Sequence, residues 1–128
     1  MLWTKPAFDK FCREMGADYI YDEKVGVFAW RKAPGNTIEA LEIEAAIPGF
    51  GQGVELYIRM IKKIQQQGLR PASIFGFQRK HNQQAKHFYK KMGWHTVDLD
   101  NYYGVAQPAT FMYIEWKALE KRLHLDGR

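Results

Sequence analysis

The 128-residue chain has a single cysteine, Cys12, and its longest apolar runs are short. One cysteine excludes an internal disulfide and a zinc site built from several thiolates. No run approaches the roughly 18 to 20 apolar residues that a membrane-spanning helix needs. The first residues lack the basic stretch and apolar core of a signal peptide. These absences predict a cytoplasmic protein without a membrane partner, with Cys12 as a small buried hydrophobe.

Metal-ligand spacing is also missing. The four histidines include His81 and His87, which are six residues apart and therefore fall on different faces of a helix. We expect no metal cofactor.

The composition is that of an ordinary folded domain. Hydrophobic residues make up 46% and charged residues 26% of the sequence, which is typical of globular proteins. The chain shows no internal repeat, low-complexity tract or interdomain linker. We therefore predict a single domain over residues 1–128, as a monomer or homodimer.

Positive charge is unevenly distributed. The net charge is +5, and the segment 59–91 contains no Asp or Glu. Its basic residues are Arg59, Lys62, Lys63, Arg70, Arg79, Lys80, Lys86, Lys90 and Lys91. Such a segment either keeps the protein soluble or faces an anionic partner such as DNA or a nucleotide cofactor.

Hydrophobic periodicity and turn residues predict alternating helices and strands. The predicted elements are helix 5–15, strands 17–21 and 25–30, strand 37–47, a helix from Val54 to a stop at Gly68, strand 71–77, helix 82–92, strands 94–99 and 109–116, and a basic, exposed helical tail over 117–125. The strand–helix–strand portion is a crossover that makes its two strands parallel, whereas hairpins make antiparallel neighbours. A mixed sheet with helices on both faces follows.

Three alternating glycines, Gly49, Gly51 and Gly53, lie where a strand gives way to a helix. Glycines there either expose backbone N–H groups that bind a diphosphate, or only allow a tight turn. A P-loop is excluded because no Gly-Lys-Ser/Thr follows. Dinucleotide binding is disfavoured because the spacing is wrong and Phe75-Gly76-Phe77 carries no acid.

A second motif lies downstream, formed by Asn82, Ala85, Phe88, Tyr89, Gly93 and Trp94. Together with Pro48-Gly49-Phe50-Gly51-Gln52-Gly53, it makes residues 38 to 100 resemble the GNAT superfamily of N-acetyltransferases. The resemblance implies an α/β (α+β mixed) fold: a central mixed, mostly antiparallel sheet with a parallel strand–helix–strand crossover and helices on both faces. It implies direct transfer of an acetyl group from acetyl-CoA, as cosubstrate, to a primary amine.

The resemblance also implies a cofactor site. The pyrophosphate would rest on backbone amides of the loop and helix start, and the pantetheine arm would run along the edge of the preceding strand. The residues so implied are Ile43, Ala45, Gly49, Phe50, Gly51, Gln52, Gly53 and Val54, with Asn82 hydrogen-bonding the arm and Arg79 beside the adenosine phosphates. Two departures weaken this expectation: Pro48 replaces the family's usual Arg or Gln, and the N-terminal region is short, which would leave the acceptor site open.

For the chemistry, the resemblance points to Tyr89 as the proton donor to the departing thiolate. The alternative is an aromatic residue packed in the core. Glu42 or Glu44 would be the general base, or else each lies on a solvated strand face. Aromatic residues near the end of the chain either line the acceptor side or fill the last hairpin: Tyr102, Tyr103, Phe111, Tyr113 and Trp116.

Two other functions are compatible with the same fold. A phage-type transferase that modifies DNA bases would use the basic segment and an open acceptor side. A catalytically degenerate structural or assembly protein would explain Pro48 and the short N-terminal region.

Overall fold

The computed structural model describes residues 1–79 and 83–126. Its elements, in chain order, are α1 (Lys5–Met15), β1 (Asp18–Asp22), β2 (Gly26–Ala33), β3 (Thr37–Ala45), α2 (Gln52–Gln66), β4 (Ser73–Arg79), α3 (Gln83–Lys91), β5 (His95–Leu99), β6 (Ala109–Glu115) and α4 (Trp116–Arg122).

The strands form one six-stranded sheet in the order β1-β2-β3-β4-β6-β5. Within the described residues, β3 and β4 pair in parallel and the other neighbours pair antiparallel. Helix α2 connects the parallel pair, because parallel strands need a crossover rather than a tight turn. The predicted crossover and the mixed, mostly antiparallel sheet are confirmed.

Helices cover both faces of the sheet, as predicted. The larger core lies on the face that packs against α2, and it includes Phe28, Leu56 and Ile74. The smaller core lies under α1 and joins Phe8 and Cys12 to the opposite face of β2. Cys12 is the buried hydrophobe that the sequence predicted, and its burial raises the pKa of its thiol to about 11.

Local sequence signals define α1 well. The Thr4 hydroxyl accepts a hydrogen bond from the Ala7 amide at 3.3 Å, and Pro6 occupies the first turn. Gly16 ends the helix in the left-handed conformation, with a φ of 62°. This short helix covers the β1–β2 end of the sheet.

The prediction of an exposed C-terminal tail is wrong. Helix α4 begins directly after β6, and its residues Trp116 and Leu119 are only 2% and 0% exposed. These two residues are three positions apart, so they lie on one helix face and enter the larger core together. Trp116 is therefore a core residue, and the basic residues of α4 lie on its other faces.

Among the helices of the described residues, none has the length and apolarity required to cross a membrane.

Candidate functional site

The parallel strands β3 and β4 diverge partway along their length. Their pairing runs from Thr37 opposite Ser73 to Ala40 opposite Gly76. Strand β3 nevertheless continues to Ala45, and β4 continues to Arg79. Past the last pair, the facing edges of the two strands are no longer paired with each other, and a cleft opens between them.

A bulge in β3 is the local cause of this divergence. Against β2, Ala29 lies opposite Glu42 while the next residue, Trp30, lies opposite Ala40. Leu41 is therefore an extra residue, and an extra residue bends its strand and increases its twist.

Gly76 marks where the divergence begins. A Cβ at this position would lie 3.1 Å from the carbonyl oxygen of Ala40. A glycine inside an apolar strand often marks such a close approach of two backbones. This signal was available in the sequence, where Gly76 was used only to argue against dinucleotide binding.

The cleft forms a cavity of about 570 Å³, a size suited to a small molecule. Strands β3, β4 and β6, helix α3 and the loop before β6 contribute its walls. The lining residues are Ala40, Leu41, Glu42, Ile43, Gly76, Phe77, Gln78, Gln83, Gln84, Tyr89, Tyr103 and Met112. The cavity thus combines four residues that the sequence singled out, Glu42, Ile43, Tyr89 and Tyr103, with others that it did not.

Tyr89 reaches the cavity from α3, although the residue is only 3% exposed. Its hydroxyl accepts a hydrogen bond from the buried Tyr57 hydroxyl at 2.9 Å. Burial raises the pKa of Tyr89 to about 12, and the nearby charge of Glu42 acts in the same direction. Hydrogen bonds from Tyr57 and Gln78 partly oppose this rise in pKa. The Tyr89 phenol is therefore protonated at neutral pH, and its side chain is packed in the core while it borders the cavity.

Glu42 lines the same cavity from β3. Burial raises the pKa of its carboxyl group, a hydrogen bond from the Ile43 amide at 3.1 Å opposes the rise, and the neighbouring charge of Glu44 adds to it. A carboxylate with a raised pKa is a better base than an exposed one. This position can therefore take a proton from a group in the cavity.

Glu44 has a different setting. Its carboxylate accepts hydrogen bonds from the backbone amides of Leu2 and Trp3, at 2.8 and 3.2 Å. It holds the segment before α1 against the sheet and is not among the residues that line the cavity. The two candidate bases lie two positions apart on one strand, but they have different surroundings: Glu42 lines the cavity, whereas Glu44 binds the N-terminal segment.

The glycine loop follows β3 directly. Gly49 and Gly51 have φ angles of 87° and 75°, which favour glycine. Gly51 caps α2, and among the described residues no side chain hydrogen-bonds the first-turn amides of this helix. Those N–H groups also lack partners within the helix, so they can bind an anion.

Gly53 is required for another reason. It lies inside α2 with an ordinary helical backbone, and a Cβ there would lie 3.2 Å from the Phe88 ring of α3. Its missing side chain lets the two helices approach. The alternating glycines of the sequence therefore have two separate physical causes.

Side chains around the loop hold it in place. The Gln52 side chain accepts from the Ile47 amide and donates to the Lys24 carbonyl, both at 2.7 Å, which ties the loop to the β1–β2 turn. Phe50 is 78% exposed, whereas Val54 packs against the larger core. The bend is open and is not filled by the Phe50 ring.

Several predicted cofactor contacts lie apart from the cavity or beyond the described residues. Ala45 ends β3 opposite Gly26 and, like residues 49–54, is not part of the cavity lining. Asn82 lies outside the described residues. Arg79 is described only as the last residue of β4, without its side chain.

The basic segment is partly neutralised. Within the described residues, Arg59 pairs with Asp22 at 2.9 Å, Lys63 pairs with Asp18 at 3.0 Å, and Lys86 pairs with Asp98 at 3.4 Å. These carboxylates come from other parts of the chain, so the sequence segment by itself overstates the free positive charge. The same residues contain no group of three His, Cys, Asp or Glu side chains that could hold a metal ion.

Comparison with known proteins rests on structure. No family model matches the sequence, and no curated protein matches it. Ard1 from Thermoplasma volcanium superposes with a TM-score of 0.67 at 22% identity, covering 90% of this chain and 81% of that one. An acetyltransferase from Bacillus subtilis in complex with CoA gives 0.65 at 16% identity, covering 88% and 84%.

A third similar structure is that of Arabidopsis thaliana Naa50 in complex with the bisubstrate analogue CoA-Ac-MVNAL. It has a TM-score of 0.55 at 20% identity, and the match covers 70% of this chain and 64% of that one. At such identities the likeness establishes the fold. The predicted fold class is confirmed.

Proposed function

We propose that this chain, whose fold is that of the GNAT acetyltransferases, transfers the acetyl group of acetyl-CoA to a primary amine. The observation that carries the proposal is the cleft between β3 and β4. The protonated Tyr89 phenol and the Glu42 carboxyl group both line this cleft, and β3, which borders it, runs on through the glycine loop to the uncapped N-terminus of α2.

Acetyl-CoA would bind along β3 and the loop that follows it. The first-turn amides of α2 and the loop glycines, residues 49–54, would hold the diphosphate. The pantetheine arm would lie in the cleft along the unpaired edge at Ile43 and Ala45, where peptide groups are available for hydrogen bonds. In this proposal Arg79 would lie beside the adenosine phosphates, and Asn82 would hydrogen-bond the pantetheine arm. Pro48 removes one charged contact, so the backbone would supply most of the phosphate binding.

The transfer would proceed by direct attack. Glu42 takes a proton from the ammonium group, directly or through water, and the free amine attacks the thioester carbonyl carbon. The C–N bond forms and the C–S bond breaks as Tyr89 gives its proton to the departing thiolate. The nitrogen, now bonded to the acetyl group, loses its extra proton to the Tyr89 phenolate, which restores the phenol. Leu41, the extra residue of the bulge, is the candidate to supply a backbone N–H to the oxyanion.

Glu42 is preferred to Glu44 as the base because it borders the cavity. Glu44 is already bound to two backbone amides of the N-terminal segment. Neither the DNA-modifying nor the purely structural alternative is favoured by a specific observation among the described residues.

Calorimetric titration with acetyl-CoA tests the cofactor site, with two matched glycine variants. Gly51 and Gly35 have φ angles of 75° and 78°, and a Cβ at either would meet nothing within 4 Å. Gly51→Asp and Gly35→Asp therefore carry the same backbone cost and the same added charge. Only the first places that charge beside the proposed diphosphate, where repulsion should weaken binding by about tenfold or more.

The proposed diphosphate site would be supported if the wild type and Gly35→Asp bind acetyl-CoA and Gly51→Asp binds it more weakly. Absence of binding by the wild type at millimolar acetyl-CoA would refute the proposal. Equal weakening in both glycine variants would refute the placement of the diphosphate.

A further inference from the structure

Within the described residues, a helix covers the sheet face that carries α1 at its β1–β2 end only. Helix α1 packs on β1 and β2, while β4 and β6 carry a row of aromatic residues on the same face. The pairing places Phe75 opposite Tyr113 and Phe77 opposite Phe111. Neighbouring rings lie with their centroids 5.2 to 6.4 Å apart, and Tyr113 is 38% exposed.

One end of this row borders the cavity. Phe77 and Tyr103 both line the cavity. Tyr102 stacks flat on Phe77, with ring centroids 4.4 Å apart and planes 10° apart, and it meets Tyr103 edge to face at 4.9 Å. Tyr102 remains 48% exposed. We call Phe77, Tyr102 and Tyr103 the aromatic wall of the cavity mouth.

Among the side chains that the structure describes, the charged groups near this mouth are negative or paired. Glu42 contributes a carboxylate to the cavity itself. Glu39, opposite Phe75 on the same face, pairs with Arg31 at 2.9 Å. The basic residues Arg59 and Lys63 belong to α2, which packs on the other face of the sheet. This arrangement suits a cation and disfavours a polyanion such as single-stranded DNA, which would otherwise stack on exposed aromatic residues.

We propose that the acceptor is a primary amine that carries a flat aromatic group on a short aliphatic spacer. The ring would pack against the aromatic wall, continuing the flat stack of Tyr102 on Phe77, while the ammonium group lies at Glu42. The inference rests on the proposed acetyl transfer and names its acceptor class. Aromatic stacking adds to simple burial of apolar area, so a flat group should be preferred to a flexible chain of similar size.

Steady-state kinetics with three amines tests this selectivity. The probes are 2-phenylethylamine, n-octylamine with the same number of carbon atoms, and ethylamine, each with saturating acetyl-CoA. The wild type should favour 2-phenylethylamine over n-octylamine by about tenfold in kcat/KM. In Tyr102→Leu, which keeps an apolar side chain but removes the ring, this preference should largely disappear through a higher KM for 2-phenylethylamine.

Tyr113→Leu is the matched control. This tyrosine lies on the same face and is 38% exposed, against 48% for Tyr102. Its pair with Phe75 is two register positions from the Phe77–Phe111 pair, and its ring contacts are with Phe111 and His95 rather than with Phe77. Its kinetics with all three amines should equal those of the wild type. Equal use of 2-phenylethylamine and n-octylamine by the wild type, or an unchanged preference in Tyr102→Leu, would overturn the proposal.

Failure of acetyl transfer is distinguished by direct binding. If acetyl-CoA does not bind, the proposed function fails, and the aromatic acceptor is then judged by calorimetric titration of the free protein. In that titration 2-phenylethylamine must still bind more tightly than n-octylamine and must weaken in Tyr102→Leu, or the inference fails too. Two other results would assign the aromatic wall to another occupant and overturn the inference. One is binding of oligothymidylate that is lost in Tyr102→Leu, and the other is a stable dimer that is lost in the same variant.

Discussion

Replacement of Tyr89 by Phe should affect stability as well as chemistry. Tyr57 is fully buried, and its hydroxyl donates to the Tyr89 hydroxyl at 2.9 Å. Tyr89→Phe would leave a buried donor without its acceptor, which costs about 1–3 kcal/mol. Tyr57→Phe should cost less, about 0.5–1.5 kcal/mol, because the Tyr89 oxygen keeps its hydrogen bond from Gln78.

The double variant Tyr57→Phe/Tyr89→Phe provides the decisive comparison. With both hydroxyls gone, the buried Tyr57 donor is removed as well, and the Gln78 side chain, which lines the cavity, can be solvated there. The double variant should therefore be about as stable as Tyr57→Phe alone. The free energies of unfolding from urea titrations should then show a coupling equal to the cost of Tyr89→Phe, about 1–3 kcal/mol, between the two sites. Activity should respond differently, with kcat about 10²- to 10⁴-fold lower wherever Tyr89 is replaced.

Two results would contradict this reasoning. If Tyr89→Phe is as stable as the wild type, the hydroxyl pair is not the buried hydrogen bond described above. If the double variant regains activity along with stability, the loss in Tyr89→Phe came from misfolding and not from a missing proton donor.

The remaining predictions concern pH and one backbone contact. Because the pKa of Glu42 is raised by burial, its ionisation lowers stability as pH rises above about 4.5. In urea denaturation, the free energy of unfolding of Glu42→Gln should therefore equal that of the wild type at pH 4 and exceed it at pH 7. The variant should also lose transferase activity. A Glu42→Gln variant that is less stable than the wild type at pH 7 would contradict this prediction. The raised pKa values of Tyr57 and Tyr89 leave stability unchanged below about pH 10. Between about pH 10 and pH 12, each tyrosine should lower the free energy of unfolding by about 1.4 kcal/mol per pH unit. Tyr57→Phe should therefore reduce the slope of this free energy against pH. Gly26→Ala would place a Cβ 2.2 Å from the Glu44 carbonyl oxygen at a φ of 135°. Gly26→Ala should lower the free energy of unfolding by more than about 3 kcal/mol. Gly35→Ala, whose Cβ would lie in open space, should lower it by about 1–2 kcal/mol. Similar urea midpoints for the two variants would disprove the contact.

The secondary structure and topology followed from local signals. The hydrophobic periodicity of α2 and the glycine stops at Gly16 and Gly68 are properties of neighbouring residues. The parallel pair followed from the order strand–helix–strand, since that order leaves few connections. The error at α4 arose because Trp116 was assigned to the preceding strand, so its helical spacing to Leu119, which defines the buried face, was not used.

The candidate site was only partly accessible to the same reasoning. Its chemical groups, the glycine loop, Glu42 and Tyr89, could be named because their types and spacing are local. Tyr57 was predicted only as part of an apolar stripe, because its hydroxyl gains its partner from α3, 32 residues away. The roles of Glu42 and Glu44 stayed open for the same reason: Glu44 is bound by the N-terminal segment, more than 40 residues before it.

The amino-acid sequence by itself determined which segments become helices and strands, how they connect, and which side chains are available for acyl transfer. Those properties depend on residues within one turn or one strand of each other. Tertiary structure alone decided where β3 and β4 separate, which glutamate borders the opening, and which aromatic rings flank its mouth. These depend on contacts between distant segments, whose geometry no local pattern encodes.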